Sequence, residues 1–259
     1  MERFQLEEQT WALVVAGMLV SAAAVLFFLS SPNRQQVAPM YMAHQHNAMM
    51  GDRTMTPALQ SKLLADKKES EFNHHLAGLF VFVAGVFSLF QDNLTKRWAA
   101  LKYGWPMSFL LLGLFLLVWS DTELWPFGHK EWLRTLQTNP EVLQHKIFAL
   151  LLLGLGLIEW QRARGVLRAA WSGWVYPAVV IAGSILVLFH HHEAGMQGPD
   201  HMEVMSRIQW QHLSYAITGL SLGFVKALAE TEVKPRRVLT KVWPLLMMVL
   251  GILLMGYRE

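Results

Sequence analysis

Cysteine is absent from the 259-residue chain, which excludes disulfides and every thiolate metal site. A bound metal would have to rest on His, Met, Asp, Glu or backbone oxygen. Charge is scarce as well. Asp, Glu, Lys and Arg supply 16% of the residues against 53% hydrophobic ones, and the formal net charge is only +3. That small net charge does not suggest a nucleic-acid partner. No Ser-His-Asp arrangement or glycine-rich phosphate loop is recognisable, and an enzyme is not the leading expectation.

What is present is apolar sequence in long runs. Val81 to Phe90, Phe109 to Trp119, Ile147 to Ile158, Val175 to Phe189 and Leu245 to Met255 carry almost no charge. About 20 apolar residues span the roughly 30 Å hydrocarbon layer of a bilayer. The pattern predicts an all-α, polytopic membrane helix bundle. Its seven transmembrane helices fall near 10–30, 74–91, 104–120, 143–160, 173–190, 209–228 and 240–256. Ser31-Pro32, Trp125-Pro126-Phe127-Gly128, Asn139-Pro140, Gly195 and Pro235 punctuate them. We read 1–259 as a single transmembrane domain with a Met/His-containing external loop at 31–73. The 10–30 span reads as a retained signal-anchor, since no small-residue cleavage site follows a short apolar core.

Orientation follows from Lys and Arg in the connections. Segments 92–103, 161–172 and 229–241 hold ten of them in 37 positions, whereas 31–73, 121–142 and 190–208 hold eight in 84. The dense set is expected in the cytoplasm, with the N-terminus inside and the C-terminus outside. Trp98, Trp105, Trp119, Trp160, Trp174, Trp210 and Trp243 stand near predicted span ends, where indoles favour the headgroup level.

This topology puts all eleven histidines at the outer face. His44 and His46 lie in the first external loop. His74 and His75 open the second span, His129 lies in the next external loop, and His145 opens the fourth span. His190, His191 and His192 close the fifth, His201 follows in a loop, and His212 enters the sixth. Neutral imidazole is the commonest late-transition-metal ligand, and facing helices of a bundle can converge such side chains. One interfacial histidine would be unremarkable; four helices bringing one to a common depth point to a metal. The expected site comprises His75, His145, His190, His192 and His212, with His74, His191 and His201 close by. Glu193, Asp200 and Glu203 are candidates to orient the rings.

Methionine extends the argument. Met40, Met42, Met49, Met50 and Met55 surround His44 and His46, and Met196, Met202 and Met205 surround His201. Thioether selects Cu(I), and imidazole suits either copper oxidation state. His44, His46, Met49, Met50 and Met202 are therefore expected to capture and deliver copper. A flexible apolar patch is the competing reading for these methionines.

Several short motifs occur in order along the last 120 or so residues. They are Gln144-His145-Lys146-Ile147-Phe148-Ala149-Leu150, Glu159-Trp160, His190-His191-His192, Ile208-Gln209-Trp210-Gln211-His212-Leu213, Val242-Trp243-Pro244 and Tyr257-Arg258-Glu259. In these the chain resembles the bacterial copper resistance protein D (CopD) family. The resemblance implies a multi-pass protein of the bacterial inner membrane linked to copper uptake, with His145, His190, His192 and His212 as metal positions. The family's fifth span tends to end in His-x-His, where this chain has three consecutive histidines.

The combined expectation is an integral membrane copper-binding protein serving copper uptake, delivery or homeostasis. Its partners would be the lipid bilayer and a periplasmic copper carrier or a larger membrane complex. Two alternatives stay open: a haem-binding electron-transfer protein, and a metal-binding or accessory subunit of a membrane metalloenzyme, for which zinc is also eligible. No His, Asp or Glu is expected near the bilayer midplane, so binding at the outer face is better supported than passage across.

Overall fold

The computed structural model describes residues 56–124, 126–190, 201–231 and 236–259. The chain is helical almost throughout, and no β-strand occurs among the described residues. Helix α1 covers Pro57–Arg97, α2 Gly104–Val118, α3 Trp132–Thr138, α4 Pro140–Ala163, α5 Val175–Leu188, α6 His201–Glu230 and α7 Arg236–Met255. Short 3₁₀ turns at Ala99–Tyr103 and Ala170–Trp174 lead into α2 and α5.

Five segments are long and apolar enough to cross a membrane: Gln60–Arg97, Ala99–Val118, Pro140–Ala163, Ala170–Leu188 and Arg237–Met255. Their outward faces carry Leu111, Leu114, Leu150, Leu157, Ile185, Val249 and Ile252, all exposed. Apolar side chains facing outward along such helices mark a membrane-embedded chain. The predicted 10–30 span lies outside the described residues.

Helix α6 falls outside that apolar set for a reason visible in its packing. It lies against α5 and α7, and buries His212, Tyr215, Ser221 and Lys226. A helix surrounded by protein can carry polar groups that a lipid-facing helix cannot.

Two boundaries differ from the expected ones. Residues 57–73, assigned to an external loop, are the first turns of α1. At 1.5 Å per residue the 41-residue helix is about 60 Å long, roughly twice the hydrocarbon thickness, so it projects well beyond the apolar zone. The projection is held laterally: Lys67 donates to the Glu259 carbonyl and Ser70 Oγ to Glu259 Oε1 at 2.7 Å. Likewise α6 begins at His201 rather than near 209.

Close approach of α1 and α7 depends on glycine. A Cβ on Gly78 would stand 2.6 Å from the Gly251 carbonyl oxygen, and one on Gly251 would stand 2.6 Å from the Phe82 amide nitrogen. Small residues at such crossings let two backbones touch, which drives association where lipid removes the hydrophobic contrast. The core beyond this crossing is aromatic, with Trp105, Phe109, Tyr176 and Trp243 packed edge to face.

The antiparallel helices give the bundle two ends. At one, α1 ends, α2 begins, α4 ends and α7 begins, joined by the Lys- and Arg-rich connections. Arg162 and Glu230 approach each other there, and Lys241 donates to the Leu89 carbonyl. At the other end lie the start of α4, the end of α5, the first turns of α6 and the Tyr257-Arg258-Glu259 tail.

Candidate metal centre

Four histidines from four helices form a row at the end opposite the basic connections. The ring centroids of His145 (α4) and His190 (just after α5) are 5.4 Å apart, and those of His190 and His212 (α6) are 5.2 Å apart. His212 and His74 (α1) stand at 6.0 Å, and His74 stacks on Tyr257 at 3.8 Å.

Each ring is held the same way round. Nδ1 of His74 bonds the Ser70 carbonyl at 2.8 Å, and Nδ1 of His212 bonds the Ile208 carbonyl at 2.8 Å. Both contacts span one helical turn. Nδ1 of His145 bonds Asp121 Oδ1 at 3.0 Å. Nδ1 of His190 bonds Gln144 Oε1, whose amide is oriented by donation from Nε2 to the Phe189 carbonyl at 3.0 Å. A carbonyl or carboxylate oxygen only accepts, so Nδ1 carries the proton in all four rings. A neutral ring held in this way carries its lone pair on Nε2. Fixing one nitrogen by a hydrogen bond so that the other can ligate is the common arrangement around protein metals.

Glu141, one turn before His145 on α4, adds a carboxylate. Glu141, His145 and His190 each offer a donor atom within 4.8 Å of the other two. Donors about 2.0 Å from a tetrahedral ion stand roughly 3.3 Å apart, so small side-chain rotations would close the set on one ion. Two imidazoles and a carboxylate suit zinc, iron(II) or copper(II). Met205, half-buried, lines the same cleft as His74 and His145.

The support beneath His145 was not foreseen. Asp121 follows the end of α2 and is 9% exposed at its side chain. Burial disfavours its charge, but His145, Lys146 and Ser120 outweigh that and hold its carboxyl below the ordinary value. Lys146 Nζ stands 2.7 Å from Asp121 Oδ2 and donates to the Leu116 and Leu117 carbonyls at 3.2 and 3.1 Å. It thereby caps the last turn of α2, fixing the turn that carries Asp121. A Glu-x-x-x-His spacing at 141 and 145 was the one available signal for Glu141; nothing local indicated that Asp121 would reach His145.

The remaining expected positions are distributed as follows. His75 is exposed, and its Nε2 donates to the Tyr257 carbonyl at 2.9 Å, so this ring faces the C-terminal tail rather than the row. His129 is exposed on the 119–131 connection. Glu203 pairs with Arg207 at 3.0 Å on the exposed side of α6. His201 and Met202 begin α6. His44, His46, Met49, Met50, His191, His192, Glu193, Met196 and Asp200 lie outside the described residues.

Tyr257 closes the row at its far side. It is fully buried, stacks on His74 and meets His212 edge-on at 6.0 Å. Its hydroxyl donates to Glu259 Oε1 at 2.7 Å. Burial, reinforced by the Glu259 charge, pushes the phenol far above its ordinary value, and it stays neutral.

No protein-family model, curated protein or solved structure matches the chain, and the likeness to the copper resistance protein D family rests on the motifs quoted for it.

Proposed function

We propose that this chain is a multi-pass membrane protein that binds copper at an external histidine site and serves its uptake, delivery or homeostasis. The observation that carries the reading is the uniform Nδ1 anchoring of His74, His145, His190 and His212. Four rings held in one tautomer, with Glu141 beside two of them, are what a metal site needs and what a merely packed histidine does not. Copper is favoured over other divalent ions by imidazole-rich donors, by the top of the affinity series, by Met205 in the shared cleft, and by the resemblance to the copper resistance protein D family.

In this reading His145 and His190 are primary ligands, with His74 and His212 continuing the row. Asp121 and Gln144 orient His145 and His190. In this reading the seven spans rest on the apolar runs, the N-terminus inside and the C-terminus outside on the Lys and Arg distribution, and residence in a bacterial inner membrane on the resemblance to the copper resistance protein D family. The Met- and His-containing segment 40–55 and His191, His192 and His201 then lie on the same side as the row and supply copper to it. Among the described residues the histidines gather at this end, which favours binding and delivery over passage through the bundle.

Metal analysis of protein purified from membranes, with its visible spectrum, tests this most directly. Stoichiometric copper that disappears in the His145→Ala/His190→Ala variant is the expected result. Stoichiometric iron with an intense haem band, or zinc alone, overturns the copper assignment. Copper uptake into proteoliposomes would move the reading from binding to transport. The two-histidine, one-carboxylate set also favours a second reading, a metal-binding subunit of a membrane metalloenzyme. Zinc or non-haem iron bound in place of copper would select it.

A further inference from the structure

The histidine row is uniform in how its rings are anchored but not in what surrounds them. At one end the His145 side chain is 18% exposed, and Glu141 joins it and His190 with three donor atoms within 4.8 Å of one another. His212 belongs to no such group among the described residues, so the four rings are not one four-ligand centre. It is only 7% exposed. Tyr215 and Tyr257, both buried, meet it edge to face at 5.6 and 6.0 Å. Tyr215 donates its hydroxyl hydrogen to the Leu253 carbonyl at 3.2 Å, and Tyr257 donates to Glu259. His212 is thus walled by aromatic rings, whereas His145 has a carboxylate beside it.

Ring spacing links His212 to His190. An imidazole bound through Nε2 holds an ion on the line through its ring centroid and that nitrogen. With a bond of about 2.0 Å, two such rings on one ion stand roughly 5.2 Å apart between centroids at a tetrahedral angle and about 5.5 Å at a trigonal one. The His145–His190 and His190–His212 pairs, at 5.4 and 5.2 Å, fall in that range. The His212–His74 pair, at 6.0 Å, lies outside it. Nδ1 of His212 is engaged by the Ile208 carbonyl and Nδ1 of His190 by Gln144, which assigns ligation to Nε2 in both.

We propose that the row contains a second metal position, between His190 and His212, which takes monovalent Cu(I), while the position at Glu141, His145 and His190 takes a divalent ion. This assignment rests on the copper-binding reading above and adds where each oxidation state sits. The idealised cost of taking an ion out of water grows with the square of its charge. A monovalent ion therefore meets about a quarter of the penalty of a divalent ion of equal size. Glu141 offsets charge at the first position and is not grouped with His212. Glu259, beyond the Tyr257 ring, is already engaged by Ser70 and by the Tyr257 hydroxyl. Imidazole accepts either oxidation state of copper, and a closed-shell monovalent ion needs fewer ligands than a divalent one. His190 Nε2 binds one ion at a time, so the two positions are alternatives. No change of oxidation state is involved; the charge of the arriving ion selects its position.

The test uses the full chain in detergent, with Cu(II) and Ag(I) as separate probes. Ag(I) has the charge and closed shell of Cu(I) and undergoes no redox change. In the unsubstituted protein Ag(I) is expected to displace Cu(II), read as loss of the Cu(II) electron paramagnetic resonance signal, because His190 serves both positions. His212→Phe is expected to weaken Ag(I) binding about a hundredfold and Cu(II) binding no more than about threefold. Glu141→Gln is expected to reverse that order. Should His212→Phe fail to fold, X-ray absorption of the unsubstituted protein loaded with Cu(I) carries the test. A shell of imidazole nitrogens alone is expected, and sulfur or carboxylate oxygen in it overturns the proposal. Equal losses of both ions in each variant reduce the row to a single position and overturn it as well. Ag(I) bound without displacing Cu(II) puts the monovalent ion elsewhere, with the same consequence. Cu(II) binding without Ag(I) binding overturns the second position and leaves the copper reading standing; binding of neither ion overturns both.

Discussion

The two ends of the bundle handle buried polar groups in opposite ways. At the basic end Arg162 grips both oxygens of Glu159, at 2.8 and 3.0 Å, and reaches Glu230 at 3.6 Å. Lys226 completes the group by pairing with Glu230 and lying 4.6 Å over the Trp243 ring. Two acids and two bases thus satisfy one another across α4 and α6. Gly173 leaves them room, since a Cβ there would collide with the Glu230 carboxylate. At the histidine end the bonds described above hold each ring by Nδ1. Self-neutralised charge locks helices together; the imidazole row is instead anchored ring by ring to carbonyl and carboxylate oxygens. The comparison separates a buried polar cluster whose charges satisfy one another from one that, in the proposed reading, serves binding.

The sharpest way to break this distinction is His145→Ala with His190→Ala, which should abolish metal binding while leaving the thermal unfolding of the purified protein nearly unchanged. Full metal retention would put the site elsewhere. Next in size is Arg162→Met. It leaves Glu159, 2% exposed, without its partner, and removing one side of a buried pair costs about 3 kcal/mol or more. A large drop in unfolding temperature with unaltered metal affinity is expected; altered affinity would mean that the two ends are coupled.

Asp121→Asn removes the carboxylate that orients His145 and should weaken metal affinity by about ten- to a hundredfold, measured by competition with a chelator. His75→Ala provides the counterpart. Its ring faces the C-terminal tail, so affinity should change by less than about twofold, whereas His74→Ala should weaken it several-fold more. Equal effects of the two would erase the difference the structure draws between these neighbours.

The smallest effect concerns pH. The Lys130 hydrogen bond outweighs burial and holds the Glu123 carboxyl below its ordinary value of 4.5. The folded form therefore binds its proton less readily than the unfolded one. Its contribution is present above the ordinary value and is lost as pH falls through the lower folded one. Glu123→Gln should flatten the acid limb of the unfolding curve slightly, and an unchanged limb would show that the half-exposed pair contributes nothing measurable.

Much of the fold was legible because lipid imposes a local rule. Phe109 to Trp119 or Leu245 to Met255 has few uses other than an apolar helix, and the structure contains such helices there. The Pro57 start of α1 was less legible. Lys67, Glu71 and their neighbours read as polar loop until the C-terminal tail supplies partners for them. The convergence of His145 and His190 follows from their positions near helix ends, which alternate along the chain, whereas His212 joins them from well inside α6. The choice between His74 and His75 does not, since adjacent residues on a helix point about 100° apart and only the rotation of α1 against α6 and α7 decides which one faces the row.

The sequence by itself determined that the chain is helical and apolar, that it has no thiolate, and that His145, His190 and His212 lie near one end of the bundle, because these depend on residue type and spacing along the chain. Tertiary structure alone decided that Asp121 would sit beneath His145, that Glu141 would join two rings, and that Asn73 would bury an oxygen without a donor. Those facts depend on how separate helices rotate and close against one another, and packing between distant segments sets that rotation.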